Sequence, residues 1–132
     1  MKTLRLILGD QLNSKHSWFK HKNKDIIYCM FEMRQETDYT KHHIQKVVGF
    51  FGAMRAFQEQ LKANSYNIVY FKINDKKNSQ NLSKNLQYVI NNYSIEKFEY
   101  QYPDEFRLDK QLKNFCNSIN IKSDVFSTEH FY

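Results

Sequence analysis

Two periods govern the hydrophobic positions of this chain. Short strand-like runs fall at residues 3–8 (Thr-Leu-Arg-Leu-Ile-Leu), 25–31 (Asp-Ile-Ile-Tyr-Cys-Met-Phe), 67–71 (Asn-Ile-Val-Tyr-Phe), 97–101 (Lys-Phe-Glu-Tyr-Gln) and 121–126. The continuous apolar run at 25–31 suits a strand covered on both faces. The fourth is the most polar and reads as lying closer to a sheet edge. Between the runs, apolar residues recur at three and four positions. Leu82, Leu86, Val89, Ile90 and Tyr93 predict a helix over 79–93, and Leu108, Leu112, Phe115, Cys116 and Ile119 predict another.

The longest helical pattern runs from Glu36 to Leu61, with Thr37, Asp38 and Thr40 as candidate N-caps and no proline inside. At about 100° per residue, Ile44, Val48 and Phe51 form one flank, and Phe50, Phe57 and Leu61 another. Val47 and Met54 lie between. An apolar arc of roughly 180° is wider than a surface helix needs. One flank is expected to cover the sheet. The Phe50, Phe57 and Leu61 flank is expected to be left exposed and to drive self-association. Arg55, at the edge of the arc, reads as a snorkelling arginine.

Strands alternating with helices give an α/β fold with right-handed βαβ units and a mainly parallel sheet. In such a sheet the ligand usually lies beyond the carboxyl ends of the strands. Those ends carry Gly9-Asp10-Gln11, then Phe31-Glu32 through Tyr39, Asn74-Asp75, and Tyr102-Pro103-Asp104-Glu105. Gly9 reads as relieving the turn after the first strand. This edge is the default pocket, suited to a polar heterocycle with a hydroxylated tail.

Length sharpens this reading. A chain of 132 residues with 41% hydrophobic residues is expected to form one domain. The aromatic share is high, with 11 Phe and 9 Tyr. No apolar run approaches membrane-spanning length, and the start reads as no signal peptide. A cytoplasmic location is expected, with Cys29 and Cys116 as buried thiols. The net charge is +6. Lys20-His21-Lys22-Asn23-Lys24 is the densest basic run, a solvated loop by default and a nucleic-acid patch as the alternative.

Several kinds of chemistry find no motif. The only glycines are Gly9, Gly49 and Gly52, so neither a P-loop nor G-x-G-x-x-G exists. No serine sits in G-x-S-x-G, and neither cysteine has a partner at metal-site spacing. His42 and His43 diverge by about 100° on a helix, which rules out chelation from one face. His43 falls with Phe50 and Phe57, and a structural role is the default for both histidines. Glu32 and Glu36 are solvated carboxylates by default. Their place beside Tyr39 and facing Asp10 makes at least one a candidate ligand acceptor.

Ile7-Leu8-Gly9-Asp10-Gln11-Leu12, then Glu36, Tyr39, His42-His43, Gln45-Lys46, Phe51, Ala53-Met54-Arg55, Phe57 and Leu61, together resemble a known family. It is the deoxyribodipyrimidine photolyase-related proteins, the bacterial (6-4) photolyase and cryptochrome group with an iron–sulfur cluster. Pro103-Asp104-Glu105-Phe106-Arg107 resembles that family's Pro-x-Glu-Trp-Arg, with Phe in place of Trp. The chain departs from the pattern at Asn13, after Leu12, and at Met33-Arg34-Gln35, after Glu32.

The resemblance implies the family's N-terminal domain, a Rossmann-like three-layer sandwich with five parallel strands in the order 3-2-1-4-5. It implies an antenna chromophore, 6,7-dimethyl-8-ribityllumazine or a similar dye. Candidate dye-binding residues are Gly9, Asp10, Gln11, Phe31, Glu32, Glu36, Tyr39 and His43, with Glu36 foremost. FAD and the iron–sulfur cluster belong to a helical domain of several hundred further residues, expected to be absent here. That helical domain is the implied partner, and damaged DNA would be met only by the full-length protein. The isolated domain is expected to be inactive as a photolyase. The alternatives are a stand-alone α/β module binding a ligand or nucleic acid, and a nucleotide-binding enzyme domain. The missing phosphate-binding glycines weigh against the last.

Overall fold

The computed structural model describes residues 2–9, 11–20, 23–33, 44–103 and 106–127, with the side chains of 44–48 and 50 excepted. Five strands form a single all-parallel sheet: β1 (Thr3–Leu6), β2 (Ile26–Phe31), β3 (Asn67–Phe71), β4 (Lys97–Gln101) and β5 (Lys122–Phe126). Their order is β3-β2-β1-β4-β5. Helix α1 (Ile44–Ala63) joins β2 to β3, α2 (Leu82–Asn92) joins β3 to β4, and α3 (Phe106–Ser118) joins β4 to β5. The Rossmann-like three-layer arrangement expected from the sequence is therefore present. Among the described residues no helix is long and apolar enough to cross a membrane.

Period-two alternation sorts the core into two layers. Leu4, Leu6, Cys29, Phe98 and Tyr100 face α2 and α3, meeting Leu86, Val89, Leu112 and Phe115. Ile7, Tyr28 and Met30 face α1, meeting Phe51, Met54, Phe57 and Leu61. Cys29 lies in the first layer and Cys116 is half-buried; neither forms a disulfide, and burial pushes both thiols up. The turns that lead from α1 into β3 and from α2 into β4 each hold a serine in a left-handed conformation, Ser65 at φ 68° and Ser94 at φ 52°. Tyr66 N then bonds Leu61 O and Ile95 N bonds Ile90 O, closing the last turn of α1 and α2.

Three expectations change. The strand β4 is not near an edge: it lies between β1 and β5, and its last four residues are buried. Its polar residues are neutralised by neighbours. Glu99 bonds Arg5 at 2.7 Å and Lys97 at 3.1 Å, and Lys97 reaches Asp124 at 2.8 Å.

The flank of α1 carrying Phe57 and Leu61 is not exposed either, as these residues retain 8% and 3% of their surface. The cover comes from the short helical turn Ser17–Phe19, whose Phe19 ring meets Phe57 at 6.0 Å and Tyr66 at 5.6 Å. The aromatic island at Trp18 and Phe19 is thus the second lid that the wide apolar arc required. Phe50 lies outside the described side chains, as do the candidate caps Thr37, Asp38 and Thr40.

The third change concerns Gly9. No described glycine has a positive φ, so a left-handed turn is not what places glycine after β1.

Candidate functional site

The carboxyl ends of β1, β2 and β4 bring several sequence-predicted residues to one edge of the sheet. Glu32 follows β2 and is fully buried. Its Oε1 accepts from Arg55 Nη2 at 2.9 Å and from the Ile73 backbone N–H at 2.8 Å. Its Oε2 accepts from Arg55 Nε at 2.6 Å and from the Tyr70 hydroxyl at 2.5 Å. A carboxylate offers about four acceptor positions, and here the protein itself fills them. Burial alone would raise this carboxyl, but the bonds from Arg55, Tyr70 and Ile73 outweigh it and hold the group below its ordinary range. Burial and the Glu32 contact push the Tyr70 hydroxyl the other way.

Glu32 therefore departs from the expected ligand acceptor. Its carboxylate ties the end of β2 to β3 and to α1. Arg55 departs from the snorkelling reading for the same reason: its head group is fixed on a buried carboxylate, although nearly half of the side chain stays exposed. The Glu32 backbone carbonyl is used as well, accepting from Asn78 Nδ2 at 2.9 Å and Gln80 Nε2 at 3.0 Å. Asn85 holds Asn78 in turn at 3.0 Å. The loop between β3 and α2 is thereby anchored to the same point.

Gln11 performs the equivalent task beyond β1. Its Oε1 accepts from Leu8 N at 3.1 Å, and its Nε2 donates to the carbonyls of Gln101 and Tyr102, each at 3.3 Å. The loop after β1 is thus stitched to the end of β4, and Gly9 is buried within it. Farther along, His16 Nε2 lies 2.6 Å from Ser127 O, holding the same loop over the end of β5.

Phe31 sits on the other side of the sheet, its ring 5.1 Å from that of Phe71. The cavity beside it, lined by Leu8, Phe31, Met33 and Leu82 among others, has about 10 Å³, which excludes any ring-sized ligand there. Phe31 and Glu32 thus face opposite layers. Asp10, Glu36, Tyr39, His42 and His43 lie outside the described residues. Among the described residues no group of three His, Cys, Asp or Glu side chains is placed to hold a metal ion.

Sequence reasoning missed Tyr70, Asn78, Asn85 and Gln101. The first three are polar residues in or after an apolar run, a weak signal taken singly. Gln101 ends the most polar strand, a position that read as an edge.

The family model for deoxyribodipyrimidine photo-lyase-related proteins matches residues 5–132. This chain belongs to that family. A (6-4) photolyase from Agrobacterium fabrum (strain C58 / ATCC 33970) is 29% identical over 134 residues, covering 99% of this chain. The chain spans 26% of that relative's length.

Proposed function

We propose that this photolyase-related domain is an antenna module. It would hold a light-harvesting dye of the ribityl-lumazine type at the carboxyl edge of its sheet, and serve a flavin-dependent photoenzyme or photoreceptor as its N-terminal domain. The observation that carries this reading is the family match, which spans nearly the whole domain while the chain spans only a quarter of its photolyase relative.

Physical chemistry supports the role. Excitation transfer by dipole coupling needs a dye held dry and at fixed orientation, not a nucleophile. The Glu32–Arg55–Tyr70 and Gln11–Gln101 ties provide a rigid frame. The backbone at Gly9 and the side chain of Asp10 after β1, with Glu36, Tyr39 and His43 before α1, are the proposed contacts, while Gln11 holds the loop. The dye's ring N–H groups and ribityl hydroxyls would meet carboxylates there, and its carbonyls would meet backbone N–H groups.

The test is a titration of the purified chain with 6,7-dimethyl-8-ribityllumazine, followed by absorption and fluorescence. Saturable binding with a shifted spectrum is expected, and absence of binding would refute the role. The chain alone, supplied with FAD, should not repair (6-4) lesions in light. Repair by this polypeptide would show that the catalytic centre has been misplaced.

A further inference from the structure

The direction of strand succession reverses between β1 and β4, so the crevice beyond their carboxyl ends is the topological switch point of the sheet. Gln101 is the last residue of β4, at the carboxyl end that borders this switch point, and is 1% exposed. Alternation from Glu99, whose carboxylate bonds Arg5, puts Gln101 on the α1 side. Its register partner on β5 is Phe126.

The Gln101 Oε1 atom is shielded from solvent, and no donor among the described residues reaches it. Its neighbour Gln11 is fully engaged with Leu8, Gln101 O and Tyr102 O, so the rim is tied while this oxygen is not. A second buried group on the same side, Trp18 Nε1, has no acceptor among the described residues, and its ring lies 5.7 Å from Phe126. The residues that carry this unused acceptor and this unused donor thus both neighbour Phe126. Leaving such groups buried costs stability, and folds keep them mainly where something else completes them.

We propose that Gln101 is a ligand-recognising residue of this domain, its side-chain oxygen accepting a hydrogen bond from a ring N–H of a cyclic-imide heterocycle. The inference rests on the dye-binding reading above and adds to it a residue and a ligand edge. An imide places carbonyls beside its N–H, which suits an acceptor and an indole donor in one neighbourhood. A fully ionised phosphate ester offers acceptors only and leaves Gln101 unmet.

The decisive variant is Gln101→Met, which keeps the length of the side chain and removes the acceptor. The melting temperature of the dye-free variant should hold or rise. Its affinity for 6,7-dimethyl-8-ribityllumazine should fall about tenfold, the worth of one hydrogen bond in a buried site. A lumazine methylated at the ring N–H completes a cycle. The unsubstituted chain should prefer the parent dye, and the Met variant should lose that preference. Unchanged affinity in the variant, equal preference in both proteins, or a fall in melting temperature would each overturn the assignment. Failure of the unsubstituted chain to bind either dye would instead sink the dye-binding reading, and this assignment with it.

Discussion

Arg55 on α1 and Glu32 at the end of β2 form a two-bond ion pair, at 2.6 and 2.9 Å, in which the carboxylate is fully buried and the guanidinium only half-covered. The asymmetry decides which partner matters more. Glu32→Gln leaves Arg55, Tyr70 and Ile73 N–H facing a neutral amide that cannot accept from all of them. A loss of about 3 kcal/mol is expected, within the range for breaking a buried pair. Arg55→Met should cost less, about 2 kcal/mol, because Tyr70 and Ile73 still serve the carboxylate. Urea denaturation of both variants checks the order. A larger loss for Arg55→Met would contradict it.

Acid should expose the same group. The folded carboxyl of Glu32 sits below the ordinary value of 4.5, so the unfolded chain binds this proton first as pH falls. Its contribution is complete above that value and is lost as pH drops through and below it. Glu32→Gln should flatten the acid limb of a stability–pH curve measured by denaturant titration. An unchanged limb would show that other carboxylates govern acid unfolding.

Alkali acts on the tyrosines in the opposite sense. Burial raises Tyr28 and Tyr70 and pushes Tyr100 up to about 12. Unfolded tyrosines ionise near 10, so stability should fall as pH rises above about that value. The absorbance of these three tyrosinates should then appear in step with loss of tertiary structure rather than ahead of it. Titration of Tyr28, Tyr70 and Tyr100 while the chain is still folded would refute this.

Phe57 is covered by Phe19, not by another protein. Phe57→Ala should therefore destabilise the monomer by about 3 kcal/mol, as for a buried aromatic, and should not simply abolish an oligomer. Phe19→Ala should uncover Phe57 and increase light scattering at high concentration. If Phe57→Ala leaves stability intact, the packing of Ser17–Phe19 on α1 is wrong.

Glu36 carries the clearest expectation for the dye. By the arithmetic of one charge-assisted hydrogen bond, Glu36→Ala should weaken lumazine binding about ten- to a hundred-fold and leave the fold intact. A capping carboxylate at the start of α1 would behave otherwise. Melting temperature would drop and dye affinity would hold. Measuring both on one variant separates the two roles.

The sequence by itself determined the layers. Short apolar runs became strands, three-and-four spacing became helices, and the composition held one core on each side of the sheet. These follow because backbone period and burial are local properties, readable wherever hydrophobic positions recur. The family was legible too, from motif positions spread over the chain. What only the tertiary structure decided were the partnerships of polar and edge residues. Glu32 looked like a free acceptor until Arg55, Tyr70 and Ile73, distant in sequence, converged on it. The strand β4 looked peripheral because Lys97 and Glu99 are charged, yet Arg5 and Asp124 on its two neighbours neutralise them. Phe57 looked exposed because its cover comes from a loop some forty residues earlier. A charge or an aromatic ring carries no sign of its partner along the chain; the sheet's crossovers bring the partner to it, and with that the difference between a ligand contact and a structural tie.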